Sequence, residues 1–227
     1  MNRTLTKISI AIILSLSITL PIVADQEYLE VDSFDGVDIG TGMVATVSCD
    51  SKNTVTLHGD KKDLDLLEVT VKGGKLDISR RTSASRIFNN IFSKEKGNKS
   101  IRVEITTNGS ISSIDASTGA SIKVPACALD SSYIEVDTST GSIVNLEGST
   151  ATLELDLSTG SLFNQNSHNF TVDVANVDLS TGAVAKLCGA TTVRGDASTG
   201  AVITVSDTAD ADRVDLSTGA EVSRSCR

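Results

Sequence analysis

Along the second half of the chain, apolar and polar residues alternate in short runs that stop at a glycine and begin again. The stops share one string, Asp-x-Ser-Thr-Gly, which starts at Asp115, Asp137, Asp156, Asp178, Asp196 and Asp215. Its glycines, Gly119, Gly141, Gly160, Gly182, Gly200 and Gly219, are spaced by 22, 19, 22, 18 and 19 residues. A fixed period near 20 is the mark of a solenoid. It is too short for a strand and a full helix, and it suits a coil of two or three short strands with tight turns.

Within each repeat the residue before Asp is branched (Ile114, Val136, Leu155, Val177, Val214), with Gly195 the exception. Strand alternation then puts Asp and Ser on one face and their apolar neighbours on the other. The residue after each Gly is small, Ala or Ser, which fits close packing at a corner. Two places after Gly stand Ile143, Leu162, Val184 and Val202, while the first and last copies carry the apolar residue one place later, at Ile122 and Val222. Taken as core positions, these imply a slip that a bulge must absorb, because a shift of one residue flips a strand's faces.

The first half is β-like without the strong repeat. Phe34–Cys49 alternates after Val44 and contains Gly40-Thr41-Gly42, a degenerate form of the later corners. Leu67–Ser79 reads as two strands about Gly73-Gly74, a hairpin signal. Residues 83–96 depart from the pattern: Ile87, Phe88, Ile91 and Phe92 have helical spacing behind Thr82 or Ser83 as cap, predicting a short helix or loop. From Arg80 to Arg102 the chain carries seven Lys or Arg and one acid, a basic stretch expected to flank or cap the solenoid, or to dock an acidic partner or membrane surface.

Residues 1–24 have the layout of a secretory signal peptide: Arg3 and Lys7, an apolar run, then Ile22-Val23-Ala24 before Asp25. The run falls short of the ~20 apolar residues that span a bilayer, and no later run is long enough. The expected mature chain is a single domain, 25–227, with N-terminal strands and the basic insertion over 25–105 and six repeat coils over 106–227. Its balance of 18 Lys and Arg against 29 Asp and Glu gives −11, which argues against nucleic acid as partner. Trp is absent and aromatics make up 3% of the chain, which weakens any case for sugar stacking.

Cys49, Cys127, Cys188 and Cys226 suggest two disulfides in an exported chain. Three connectivities are open; Cys49–Cys127 and Cys188–Cys226 are favoured because each pair shares one half of the chain. No spacing matches a zinc site or a redox pair.

The Asp-x-Ser-Thr-Gly column admits two readings. As structure, Gly sets the turn, and Asp, Ser and Thr satisfy turn amides and one another in a stacked ladder. As chemistry, the column is a carboxylate array for calcium, with Asp137, Asp156, Asp178 and Asp196 the candidate ligands, although one Asp per coil gives few ligands to an ion. A flat Ser/Thr array facing ordered water is a third reading. An aspartic protease would need Asp-Thr-Gly or Asp-Ser-Gly, and here one residue intervenes. No Gly-x-Ser-x-Gly elbow occurs, and His58 and His168, the only imidazoles, lie in polar sequence and are read as exposed. No catalytic residue or cofactor is implied.

The ordered combination of "FDGVDIGTGMVATVSC", "VTLHGDKKDLDLLEVTVKGGKLDI", "RVEITTNGSISSIDASTGASIKV" and the later Ser-Thr-Gly-Ala/Ser repeats resembles the auto-transporter adhesin, head GIN domain family of secreted bacterial proteins. Corners in that family more often read Ser-Gly-Ser-Gly or Ser-Gly-Ala-Gly. The resemblance implies an all-β, right-handed β-helix-like solenoid with about 18–22 residues per coil and a periplasmic, extracellular or cell-surface setting. It brings no catalytic set. The function expected is a non-enzymatic, adhesin-like module for a cell-envelope, glycan or protein ligand. The alternatives are a carbohydrate-active enzyme on the same scaffold and a calcium-stabilised structural solenoid.

Overall fold

The structure, a computed structural model, describes residues 25–81, 100–165 and 169–226. The expected signal peptide, the expected helix over 83–96 and His168 lie outside these residues. The described residues are all-β, 61% strand and 4% helix, wound as a β-solenoid of about five turns. Two parallel-stacked sheets form its walls.

The front sheet, from edge to edge, is β5 (Leu67–Lys72), β6 (Lys75–Arg80), β2 (Gly36–Ile39), β8 (Ser113–Ala116), β10 (Tyr133–Thr138), β12 (Gly148–Leu157), β14 (Phe170–Leu179), β16 (Ala190–Ala197) and β18 (Asp210–Leu216). The back sheet is β1 (Asp25–Glu30), β4 (Thr54–Gly59), β7 (Ile101–Thr107), β3 (Met43–Cys49), β9 (Ser121–Val124), β11 (Ile143–Leu146), β13 (Leu162–Phe163), β15 (Val184–Leu187), β17 (Val202–Val205) and β19 (Glu221–Ser223). Each repeat therefore supplies two strands, one per wall, joined at the Ser-Thr-Gly corner.

Alternation along each strand builds the core. In β10 the inward residues are Ile134, Val136 and Thr138, and in β12 they include Leu153, Leu155 and Leu157, all buried. Completely burying such an aliphatic side chain stabilises the fold by about 1.5–3 kcal/mol, and each coil needs its neighbours to do so. Phe163 and Phe170 meet edge to face at 5.8 Å in the interior.

The expected slip does not occur. The residue after Gly is buried in the first five coils and half-buried, as Ala220, in the last, and alternation then puts the third residue after Gly inward in every coil: Ile122, Val144, Phe163, Ala185 and Ile203 are buried and Val222 packs against them. Ile143, Leu162, Val184 and Val202 are half-buried on the outer side of the back sheet, in register with Ser121 above and Glu221 below. The first and last repeats keep the common register and simply lack the outer aliphatic residue.

The N-terminal half is woven into the same two walls. The β2–β3 pair is a further turn: Gly42 N–H donates to the Thr118 carbonyl at 3.2 Å, as the later corners do to one another. Beyond it the winding gives way to antiparallel pairing. The β5–β6 hairpin, turning on Gly73 and Gly74 at φ 59° and 82°, ends the front sheet, and β1, β4 and β7 end the back sheet. The described closure at this end thus consists of strands and one helical turn, Lys61–Leu64, whose Leu64 is buried, and the basic segment expected to cap it falls mostly outside the described residues. At the other end β18 is an edge strand carrying Asp210, Asp212, Arg213 and Asp215, charges of the kind that discourage edge-to-edge pairing. Cys49 is joined to Cys127 and Cys188 to Cys226.

Candidate functional site

The corner is a tight turn in which two successive residues adopt left-handed backbone. Thr118, Thr140, Thr159, Thr181, Thr199 and Thr218 have φ between 30° and 50°, and the following glycines lie between 71° and 77°. Ala120, Ser161, Ala183, Ala201 and Ala220 close the turn by donating to the Ser carbonyl three residues back, at 3.0–3.1 Å. Each Gly N–H from Gly119 to Gly200 then donates to the Thr carbonyl of the next coil at 2.9–3.1 Å, so the corners stack as a continuous backbone ladder. Glycine suits such a turn, but a β-branched residue there costs about 1–2 kcal/mol. The Thr side chains stand exposed along the ridge.

The Asp residues take no part in closing these turns. Among the described residues, Asp137, Asp156 and Asp178 have no hydrogen-bond or ion-pair partner, and the corner is held by backbone groups with help from Ser142 and Ser161, whose hydroxyls donate to the carbonyls of Ser139 and Ser158. The expected side-chain ladder is therefore a backbone ladder beside an unbonded carboxylate column.

That column is longer than the repeat announces. In register across the front sheet stand Asp77, Asp38, Asp115, Asp137, Asp156, Asp178, Asp196 and Asp215, one on each strand from β6 to β18. The two additions belong to Asp38-Ile39-Gly40-Thr41-Gly42 and Asp77-Ile78-Ser79, where the string is altered but the Asp is kept. Parallel strands lie about 4.8 Å apart, so neighbouring carboxylates repel. Burial, then the carboxylates of Asp115 and Asp77, raise the pKa of Asp38 above its ordinary value. Burial, then Asp137 and Asp178, raise that of Asp156. At the N-terminal end the ladder is relieved: Lys75 Nζ bonds the Asp115 carboxylate, which raises the lysine's pKa, and Ser79 Oγ donates to Asp77 at 2.6 Å. Among the described residues no group of three or more His, Cys, Asp or Glu is arranged to hold a metal ion.

Two residues before each Asp runs a second outward row, which the sequence reading missed. It reads Glu135, Glu154, Asn176, Arg194 and Arg213 from β10 to β18. Asn176 links its two halves: its Nδ2 donates to Glu154 Oε1 and its Oδ1 accepts from Arg194 Nε at 2.5 Å. This row and the Asp column line an open trough of about 580 Å³ on the front face. Gly195 forms part of its floor, at φ 125°, and a Cβ there would lie 2.1 Å from the Val177 carbonyl oxygen. The exception noted among the branched residues before Asp thus has a steric cause. Beside it the pairing shifts between Thr192 and Arg194, so over that stretch, Asp210 to Arg213, β18 carries one more residue than β16. Bulges of this kind re-aim the side chains next to them.

His58, read as exposed, is half-buried on the back sheet, with Nε2 3.3 Å from Glu104 Oε1, and stands outside the trough.

The family model described as "Putative auto-transporter adhesin, head GIN domain" matches residues 33–209. The chain belongs to this family. Among solved structures, this head GIN domain protein is similar to a putative adhesin from Bacteroides fragilis, with 14% identity, TM-score 0.61, and coverage of 88% of this chain and 94% of that one. It is also similar to a putative adhesin from Parabacteroides merdae, with 11% identity, TM-score 0.50, and coverage of 89% and 96%. At these identities the likeness shows a shared fold. No curated protein matches the chain in sequence. The family, together with the two disulfides, points to an exported, adhesin-like protein. No helix among the described residues is long and apolar enough to cross a membrane.

Proposed function

We propose that the protein is an exported, non-enzymatic, adhesin-like binding module of the cell envelope, and that the front face of its solenoid is the contact face. The observation that supports this most is the trough itself, an open surface built on paired strands and bordered by charged side chains. Sites on strands hold their side chains with little ordering cost on binding. The trough is lined by carboxylates, an amide and guanidinium groups. A glycosidase requires two carboxyls distinguished from each other across a bound sugar. Here neighbouring carboxylates repeat from coil to coil, so no pair is singled out by geometry. Family membership supports the same reading.

The test is fractionation of the producing cells followed by retention of purified mature protein on isolated envelopes. The protein is expected outside the cytoplasm and bound to the envelope fraction. A cytoplasmic location, or no retention above an unrelated acidic protein of equal size, contradicts the proposal.

A further inference from the structure

The row Glu135, Glu154, Asn176, Arg194, Arg213 is graded in charge along the solenoid axis: two acids, a neutral amide, two bases. Arg194 and Arg213 are direct neighbours on adjacent strands, a pairing that like charges disfavour. Their donors are largely unspent. Arg194 uses Nε on Asn176, and Arg213 has only Asp210, at 3.9 Å, beyond hydrogen-bond reach. Neither bonds the Asp column on the same face. The bulge in β18 lies immediately before Arg213, and Gly195, in register with the inward Val177, forms the trough floor beside Arg194.

From this arrangement we infer that the trough is a binding site for an extended peptide segment with a basic block and an acidic block, laid along the axis with its ammonium groups on Glu135 and Glu154 and its carboxylates on Arg194 and Arg213. The inference rests on the front face being the contact face. Four strand spacings span about 19 Å, which five or six residues of extended chain cover at about 3.4 Å each. Peptide is favoured over sugar because, among the described residues, the front face offers a single exposed aromatic ring, Tyr133, for stacking. Opposite charges matched along a row select direction and register more than they add raw affinity. The Asp column alone would accept any polycation. The arginine pair is what makes the site select against one.

The test compares acetyl-Lys-Lys-Gly-Glu-Glu-amide with acetyl-Lys-Glu-Gly-Glu-Lys-amide, equal in composition and net charge, titrated calorimetrically into mature protein at low salt. The block peptide should bind about tenfold more tightly than the mixed one. The pair Arg194→Glu with Arg213→Glu should abolish that preference. Adding Glu135→Arg and Glu154→Arg should restore it to within about threefold, since the peptide can then lie the other way. Thermal melts of each variant confirm the fold, and the regain in the fourfold variant cannot come from misfolding. Equal binding of the two peptides, an unchanged preference in the double variant, or binding of an O-carboxymethyl chitosan oligomer but of neither peptide overturns the inference. If peptide selection holds while envelope retention fails, the site stands and the envelope reading falls; if retention holds without selection, the reverse follows.

Discussion

On the front sheet the outward position next to the corner carries Asp in eight successive strands; on the back sheet the corresponding outward position carries Ile143, Leu162, Val184 and Val202 in four. The same turn separates the two columns, so both are presented at the same spacing and by the same backbone. Their energetic meaning differs. An aliphatic column on the outer face removes some apolar surface from water by stacking with its neighbours, and needs no partner. A carboxylate column gains nothing from its neighbours and is tolerated at a cost. A feature that works against folding and still recurs in every turn is better explained by what it meets than by what it holds together. The lesson carries to the row beside it, where Arg194 and Arg213 are adjacent like charges.

The comparison can be broken most severely at Gly195. Gly195→Val, which installs the residue present at Val136 and Val177, should cost more than about 3 kcal/mol in urea unfolding or prevent folding, because a Cβ meets the Val177 carbonyl and β-branched residues resist positive φ. A loss under about 1 kcal/mol would mean that the trough floor is not built as described. Next in size is the inside-to-outside contrast on the back sheet. Phe163→Ala should cost about 3–5 kcal/mol, whereas Leu162→Ala, one residue away on the outer face, should cost no more than about 1 kcal/mol. Equal losses would reverse the two faces.

The front column should show itself in pH dependence. Asp38 and Asp156 have raised folded pKa values, so their ionisation is disfavoured in the fold. Their contribution to stability is therefore complete at pH below the unfolded value of 3.8 and is lost as pH rises through the higher folded values. Stability should accordingly rise as pH falls from neutrality into the upper carboxylate range. Asp156→Asn should raise the neutral-pH stability by roughly 0.2–1 kcal/mol and flatten the profile, and added salt should do likewise. A melting temperature that falls steadily from pH 7 to pH 5, unaltered by Asp156→Asn, would contradict the repulsion. Smaller still is the turn itself: Thr159→Asn, an exchange for a residue that tolerates left-handed backbone, should stabilise by about 0.5–1 kcal/mol, since Thr159 has φ 30°.

The solenoid was legible in the sequence because its turn is punctuated by the same residues each time: a glycine at fixed period and a small residue after it register even without any knowledge of packing. The outward Asp was equally visible, but only where Ser-Thr-Gly followed it. Asp38 and Asp77 have the same place in the sheet with altered corners, and a search for Asp flanked by branched residues would have found them. The aliphatic column was misread because composition alone does not tell an outer Val184 from an inner Ala185; only counting alternation from the buried small residue after Gly does. The graded row was invisible for a deeper reason. Glu135, Glu154, Asn176, Arg194 and Arg213 have no one residue type in common, and although each stands two residues before its Asp, their alignment as a row follows only from parallel in-register pairing.

The central claim is that the front face binds and the back face does not. Envelope retention of the mature protein should be compared for Arg194→Glu with Arg213→Glu on the front and for Val184→Glu with Val202→Glu on the back, both pairs checked by thermal melting. Each pair adds acidic charge, so any general electrostatic effect is shared, though the front pair also removes two positive charges. The account predicts that the front pair loses at least about 1.4 kcal/mol of binding, a tenfold drop, while the back pair keeps wild-type retention. Loss by the back pair with the front pair unaffected would contradict it.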